Sequence, residues 1–254
     1  MAVQACSRAA TRRLAAARST DGVAVMTCAT ATHAARAHRP VQMLAPRRGT
    51  RAVLPGLPVV VPLGMRVLFP ALARRLGKRR GHLAGFAVYW IGCYLVPLGL
   101  LGRGQVKTLL RQPGSPLPSP RWLAAAALLV PPLGAVGTEL APQVRKADPV
   151  LLATAAGVAA INATGEELLW RGLFVATFPD ELVRGWLGPA AGFTAWHLAP
   201  LSVLPSRRGT LGFLIPTALI GAGHGWVAWR TGSLRWTLPP HVVTDVSGRR
   251  IAGF

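Results

Sequence analysis

Apolar runs close to the length that crosses a bilayer recur through this chain from about residue 55 onward, and no other feature restricts its fold as much. A hydrocarbon layer of about 30 Å takes roughly 20 residues of helix to cross. Inside it every backbone amide must be satisfied within the protein, which leaves helices and closed barrels as the spanning solutions. The runs lie at residues 54–72, 82–101, 122–140, 149–178, 186–204, 211–229 and 233–246, separated by short breaks containing Arg, Pro or Gly. They predict an all-α protein, a polytopic membrane helix bundle with about six to eight transmembrane helices. Such a protein is multi-pass and integral to the lipid bilayer, with a bacterial plasma membrane as the expected compartment.

Several runs carry interruptions that shape the expectation. Pro62, Arg66 and Pro70 break the first, which is tolerable where a neighbouring helix covers them. The run at 149–178 is too long for one straight span. Its cluster of Glu166, Glu167 and Arg171 marks where the helix is expected to bend or to emerge into a cavity. The last run is short, and Pro239 and Pro240 are expected to set the start of its helix. Small residues at Ala155, Gly157 and Ala159, and at Gly221 and Gly225, predict close helix approach.

A formal net charge of +21 would in a soluble protein point to nucleic acid. Here the basic residues sit in the N-terminal extension and in the breaks between apolar runs, where anionic lipid headgroups are their natural partners. No nucleic-acid partner is expected. Because Arg and Lys fall on nearly every connection, the positive-inside rule assigns no orientation. Residues 1–53, with Asp21 as their only acidic residue, read as a disordered basic extension. Their composition also resembles an organellar transit peptide, and Met26, Met43 and Met65 are alternative starts. Residues 54–148 then read as N-terminal transmembrane helices and 149–250 as a separate core. Cys6, Cys28 and Cys93 form no CxxC pair and no disulfide framework.

The chemistry concentrates in that core. The chain has only eight acidic residues, and Glu166, Glu167 and Asp245 lie inside or at the edge of apolar runs. An ionised side chain at mid-bilayer costs roughly 2.5–3.5 kcal/mol on insertion scales, so such residues are functional candidates by default. Glu167 and Arg171 share one helix face at i, i+4 and can pair, while Glu166 points elsewhere and is left to orient a water. Phe193 and His197 repeat the i, i+4 spacing, as do His241 and Asp245, where the carboxylate can orient the imidazole. Taken singly these are a helix clamp, a satisfied histidine and a helix-end cap. Together they place carboxylates and histidines on three segments of one small bundle, where they can converge around a water. A Glu or His there can take a proton from that water, and a second His can stabilise a developing oxyanion. No GxSxG elbow, P-loop or HExxH helix is present. His224 reads as structural, and His33, His38 and His82 carry no assignment.

The order E-E-x-x-x-R at 166–171, F-x-x-x-H at 193–197 and H-x-x-x-D at 241–245 resembles the signature of the CPBP family, the CAAX protease and bacteriocin-processing proteins. The stretch Arg230 to Leu234 before His241 is similar to that family's approach to its last motif. The resemblance covers about residues 150–250, and the N-terminal third adds no motif. It implies a helical bundle with a polar cavity opening into the membrane, and an intramembrane endopeptidase acting on a membrane-associated peptide or protein, of which CAAX processing is the best-known case. Glu166 would activate water, His197 and His241 would support it, and Glu167 and Arg171 would hold the site together. The family is described both as metalloproteases and as glutamate-dependent enzymes. The cofactor is therefore either none or one divalent metal such as zinc, with His197, His241 and Glu166 as its ligands. The position of Asp245 is commonly Asn in the family. A carboxylate cannot donate a hydrogen bond, so Asp245 either orients His241, is protonated, or lowers activity. The alternatives are a non-catalytic scaffold or self-immunity protein of the same family, and a proton-coupled transporter, whose internal repeats are not found here.

Overall fold

The computed structural model describes residues 49–112, 114–144 and 147–248. Most of the expected N-terminal extension, with Cys6, Cys28, His33 and His38, lies outside the described residues. Among the described residues there are helices and no strands.

Helix α1 spans Thr50–Leu76 and α2 spans Lys78–Leu101. They fold back on each other through Gly77, whose φ of 81° suits a residue without a Cβ. The amphipathic α3, Arg103–Arg111, follows. Helix α4 spans Arg121–Val144 and includes a π-helical stretch at Val136–Leu140. Helix α5 is Pro149–Glu167; its first turn is capped by Asp148, whose Oδ1 accepts from the amides of Val150 and Leu151 at 2.7 and 3.2 Å. A π-helical turn at Leu168–Gly172 carries α5 into α6, Leu173–Thr177. Then come α7, Gly188–Trp196; α8, Leu198–Leu201; α9, Gly209–Thr231; and α10, Leu238–Gly248.

Among the described residues α1, α2, α4 and α9 are long and apolar enough to cross a membrane. Their outer faces carry the apolar surface: Val59, Val60, Leu63 and Val67 on α1, and Leu211, Ile215 and Leu219 on α9 at i, i+4 spacing, are all more than half exposed. The buried set, by contrast, includes Asn162, Glu166, Glu167, Arg171, His224 and His241. That arrangement suits hydrocarbon outside and polar chemistry inside, and the chain is an integral membrane protein with an all-α bundle.

The inward faces of α5, α7 and α10 line the interior. Helix α10 lies against α5 and α4, and α7 lies against α1 and α9. Gly221 permits the second contact, since an added Cβ would sit 3.0 Å from the Phe193 ring, and Gly225 admits Trp186, just before α7, whose ring would lie 2.9 Å from such a Cβ.

Two expectations change and one about a helix start holds. The run at 186–204 is not one helix: α7 stops at Trp196 because Pro200 has no N–H to donate to the Trp196 carbonyl, so His197 occupies the turn before α8. The run at 233–246 becomes helical at Leu238, the start expected from the two prolines. Gly157 has nothing within 4 Å and faces outward, so it brings no helix close, although Ala155 and Ala159 are buried. The long run at 149–178 remains helical, and its interruption is the π turn directly after the paired glutamates. Such turns insert an extra residue and occur often at functional sites.

Candidate active site

Consecutive residues on a helix point about 100° apart, and Glu166 and Glu167 use that offset to face different partners. Glu167 is completely buried. Its Oε1 accepts from Nδ1 of His241 at 2.8 Å and its Oε2 accepts from the Thr237 hydroxyl at 2.5 Å. Arg171, four residues on, brings Nη1 to 3.5 Å from the same Oε1. Neither terminal nitrogen of Arg171 makes a hydrogen bond. Its guanidinium instead stands over the Phe193 ring, 4.1 Å from the centroid, held between a carboxylate and a π face.

Glu166 is 1% exposed. Its Oε1 accepts from the Tyr89 hydroxyl at 3.2 Å, and that hydroxyl in turn accepts from Nε1 of Trp170 at 2.7 Å. The Tyr89 ring stacks on Trp196 with centroids 3.7 Å apart, so aromatic packing as well as hydrogen bonding sets the phenol's position. The second oxygen of Glu166, Oε2, lies 3.4 Å from Nε2 of His241. His241 is thus placed between two glutamates, one at each ring nitrogen. Asp245, one turn along α10, brings Oδ1 to 3.7 Å from the same Nε2. Its Oδ2 accepts from Nδ2 of Asn162 at 2.7 Å, and Oδ1 of Asn162 accepts from Nε1 of Trp90 at 2.7 Å.

His197 is half-buried at the end of α7, with Nδ1 2.7 Å from the Phe193 carbonyl oxygen. A carbonyl oxygen only accepts, so Nδ1 carries the hydrogen and Nε2 keeps its lone pair. His197 interacts electrostatically with Glu166 without hydrogen bonding to it. All six residues named from the sequence, Glu166, Glu167, Arg171, His197, His241 and Asp245, therefore lie in one region around His241 and the Phe193 face of α7.

Five further residues belong to this region and had no functional assignment. Tyr89 and Trp90 come from α2, outside the stretch that carries the motifs; aromatic residues inside an apolar run gave no signal. Thr237 sits just before α10. Asn162 is the only asparagine in the chain and lies mid-run, which was a usable signal. His224, read as structural, is 0% exposed with Nδ1 3.9 Å from Glu167 Oε1, and neither of its ring nitrogens has a hydrogen-bond partner.

The donor chemistry fits a divalent ion in two overlapping ways. Glu167, His224 and His241 bring ligand atoms within 4.8 Å of one another, as do Glu166, His241 and Asp245. Carboxylate oxygens and imidazole nitrogens in threes, with a position left open, suit zinc. His197 joins neither group; its Nδ1 meets the Phe193 carbonyl one turn back along α7.

A helical bundle with long apolar outer faces that buries carboxylates, histidines and an arginine around one imidazole defines an integral membrane protein with a polar interior. Residues 148–247, from the cap of α5 to the last turn of α10, match the family model described as Type II CAAX prenyl endopeptidase Rce1-like, so the chain carries an Rce1-like domain over that stretch. No curated protein and no solved structure matches the chain.

Proposed function

We propose that the protein is an intramembrane endopeptidase in which Glu166 activates the water that attacks a peptide bond of a membrane-associated substrate. The observation that carries this reading is the setting of Glu166, a buried carboxylate with one oxygen held by Tyr89 and the other facing Nε2 of His241 across 3.4 Å. A water between Glu166 and a bound carbonyl would lose a proton to the carboxylate and form the new C–O bond. The negative charge that develops on the carbonyl oxygen needs donors, and Nε2 of His241 supplies one when the ring is protonated. Collapse of the tetrahedral adduct breaks the C–N bond, and the proton on Glu166 leaves with the amine.

In this scheme Glu167 is a positioning residue. Its carboxylate takes the Nδ1–H of His241 and so fixes which ring nitrogen faces the reacting atoms. Arg171 holds Glu167, and His197 offers Nε2 as a second acceptor or donor at the edge of the site. A divalent ion held by Glu166, His241 and Asp245 would add Lewis acidity toward the same carbonyl. The family description points to prenylated C-terminal CAAX sequences as one substrate class.

Cleavage of a membrane-anchored peptide reporter library in liposomes tests the proposal, with wild type and Glu166→Gln compared in the presence and absence of a chelator. Glu166→Gln should lower the rate by about 10²–10⁴-fold, the usual contribution of a general base, while the protein still folds. A folded Glu166→Gln that cleaves at the wild-type rate overturns the reading. A wild type silent on the whole library favours a scaffold.

A further inference from the structure

Helices α5 and α10 run antiparallel, and their polar side chains meet in register as three rungs. Asn162 faces Asp245, Glu166 faces His241, and Glu167 takes the hydroxyl of Thr237. Asn162 and Glu166 are one turn apart on α5; Thr237, His241 and Asp245 are successive turns of the other strand of the seam. The spacing that makes the Glu166–His241 rung also makes the Asn162–Asp245 rung.

The donor pattern in that outer rung has a single solution. The indole Nε1 of Trp90 can only donate, so the atom of Asn162 that receives it at 2.7 Å is the amide oxygen. The amide nitrogen must then face Asp245, and because it too only donates, Asp245 Oδ2 is the acceptor, at 2.7 Å. The other oxygen of Asp245 is left toward Nε2 of His241 at 3.7 Å. Asn162 is buried, and Trp90 and Asp245 are half-buried, so the Asn162 amide at the centre of the rung is the part removed from solvent.

We propose that Asn162 is the positioning residue that makes an aspartate workable at position 245. By donating to Oδ2 it fixes the carboxylate, sets the register of α10 against α5, and so holds His241 Nε2 opposite Glu166. The proposal rests on the proposed function for its kinetic consequence, but the geometry of His241 can be read without any substrate.

The test uses the full chain in detergent micelles and liposomes, with Asn162→Leu, Asn162→Asp, and the exchanged pair Asn162→Asp with Asp245→Asn. Asn162→Leu should shift the side-chain NMR resonances of His241, whereas Ile161→Leu, next to it on the lipid-facing side, should not. Asn162→Asp opposes two carboxylates across the rung and should lower kcat by about 10–100-fold, the value of a hydrogen bond to a charged group, with KM little changed. The exchanged pair reverses donor and acceptor and should recover most of that loss, which a packing role alone would not. Unchanged His241 resonances in Asn162→Leu, or a folded exchanged pair as impaired as Asn162→Asp, overturns the proposal. Failure of wild type to cleave any reporter bears on the proposed function alone, because the resonance shift still decides the role of Asn162.

Discussion

The outer stripe of α1 and the seam between α5 and α10 are both helical surfaces of one bundle, yet they follow opposite rules. On α1, Leu63 and Val67 are 63% and 71% exposed and meet hydrocarbon. On the seam, Glu166, Glu167 and His241 are at most 2% exposed and meet one another and other polar or charged side chains. Apolar side chains in lipid gain nothing by choosing one lipid tail over another, so the stripe is permissive. A buried charge has no such freedom. Each partner on the seam exists to satisfy another, and the loss of one strands the rest.

The sharpest way to break that contrast is Arg171→Ala. It leaves Glu167 buried without its guanidinium and is expected to cost about 3–5 kcal/mol, the penalty for removing one partner of a buried pair, read as a large fall in melting temperature in detergent. A small effect would mean that Thr237 and His241 alone satisfy the carboxylate. Next in size is Tyr89→Phe, which deletes the donor to Glu166 without altering the stack on Trp196. It should cost about 1–2 kcal/mol in transition-state stabilisation, roughly tenfold in kcat/KM. That outcome would place a working residue outside the stretch that matches the family. At the small end, Leu63→Ala on the stripe should change stability by less than about 0.5 kcal/mol, since lipid replaces what the side chain covered. A larger loss would show that another helix or a second copy covers that face.

Much of this was readable before any coordinates. The apolar runs specified a helical membrane protein because backbone amides in hydrocarbon have so few ways to be satisfied. The three i, i+4 pairs led to the residues around His241 because helical periodicity converts spacing into a shared face. Where the reading failed, the cause was usually a partner remote in sequence. Tyr89 reaches Glu166 from 77 residues away and Trp90 reaches Asn162 from 72 away, and an aromatic residue in a span has no local mark that distinguishes packing from hydrogen bonding. His224 had no paired residue at helical spacing, and only the approach of α9 to α5 puts it beside Glu167. The break at His197 was a local signal overlooked, since Pro200 forbids the continuation.

Composition and periodicity by themselves determined that the chain enters a membrane as helices, and which carboxylates and histidines would be too costly to leave in lipid. Those are properties of single segments and of the solvent they meet. Which nitrogen of His241 faces Glu166, which oxygen of Asp245 accepts from Asn162, and the fact that His224 rather than His197 stands beside Glu167, were decided only by the tertiary structure. Hydrogen bonds are directional over about 3 Å, and that distance between helices is set by the whole bundle and not by any one of its segments.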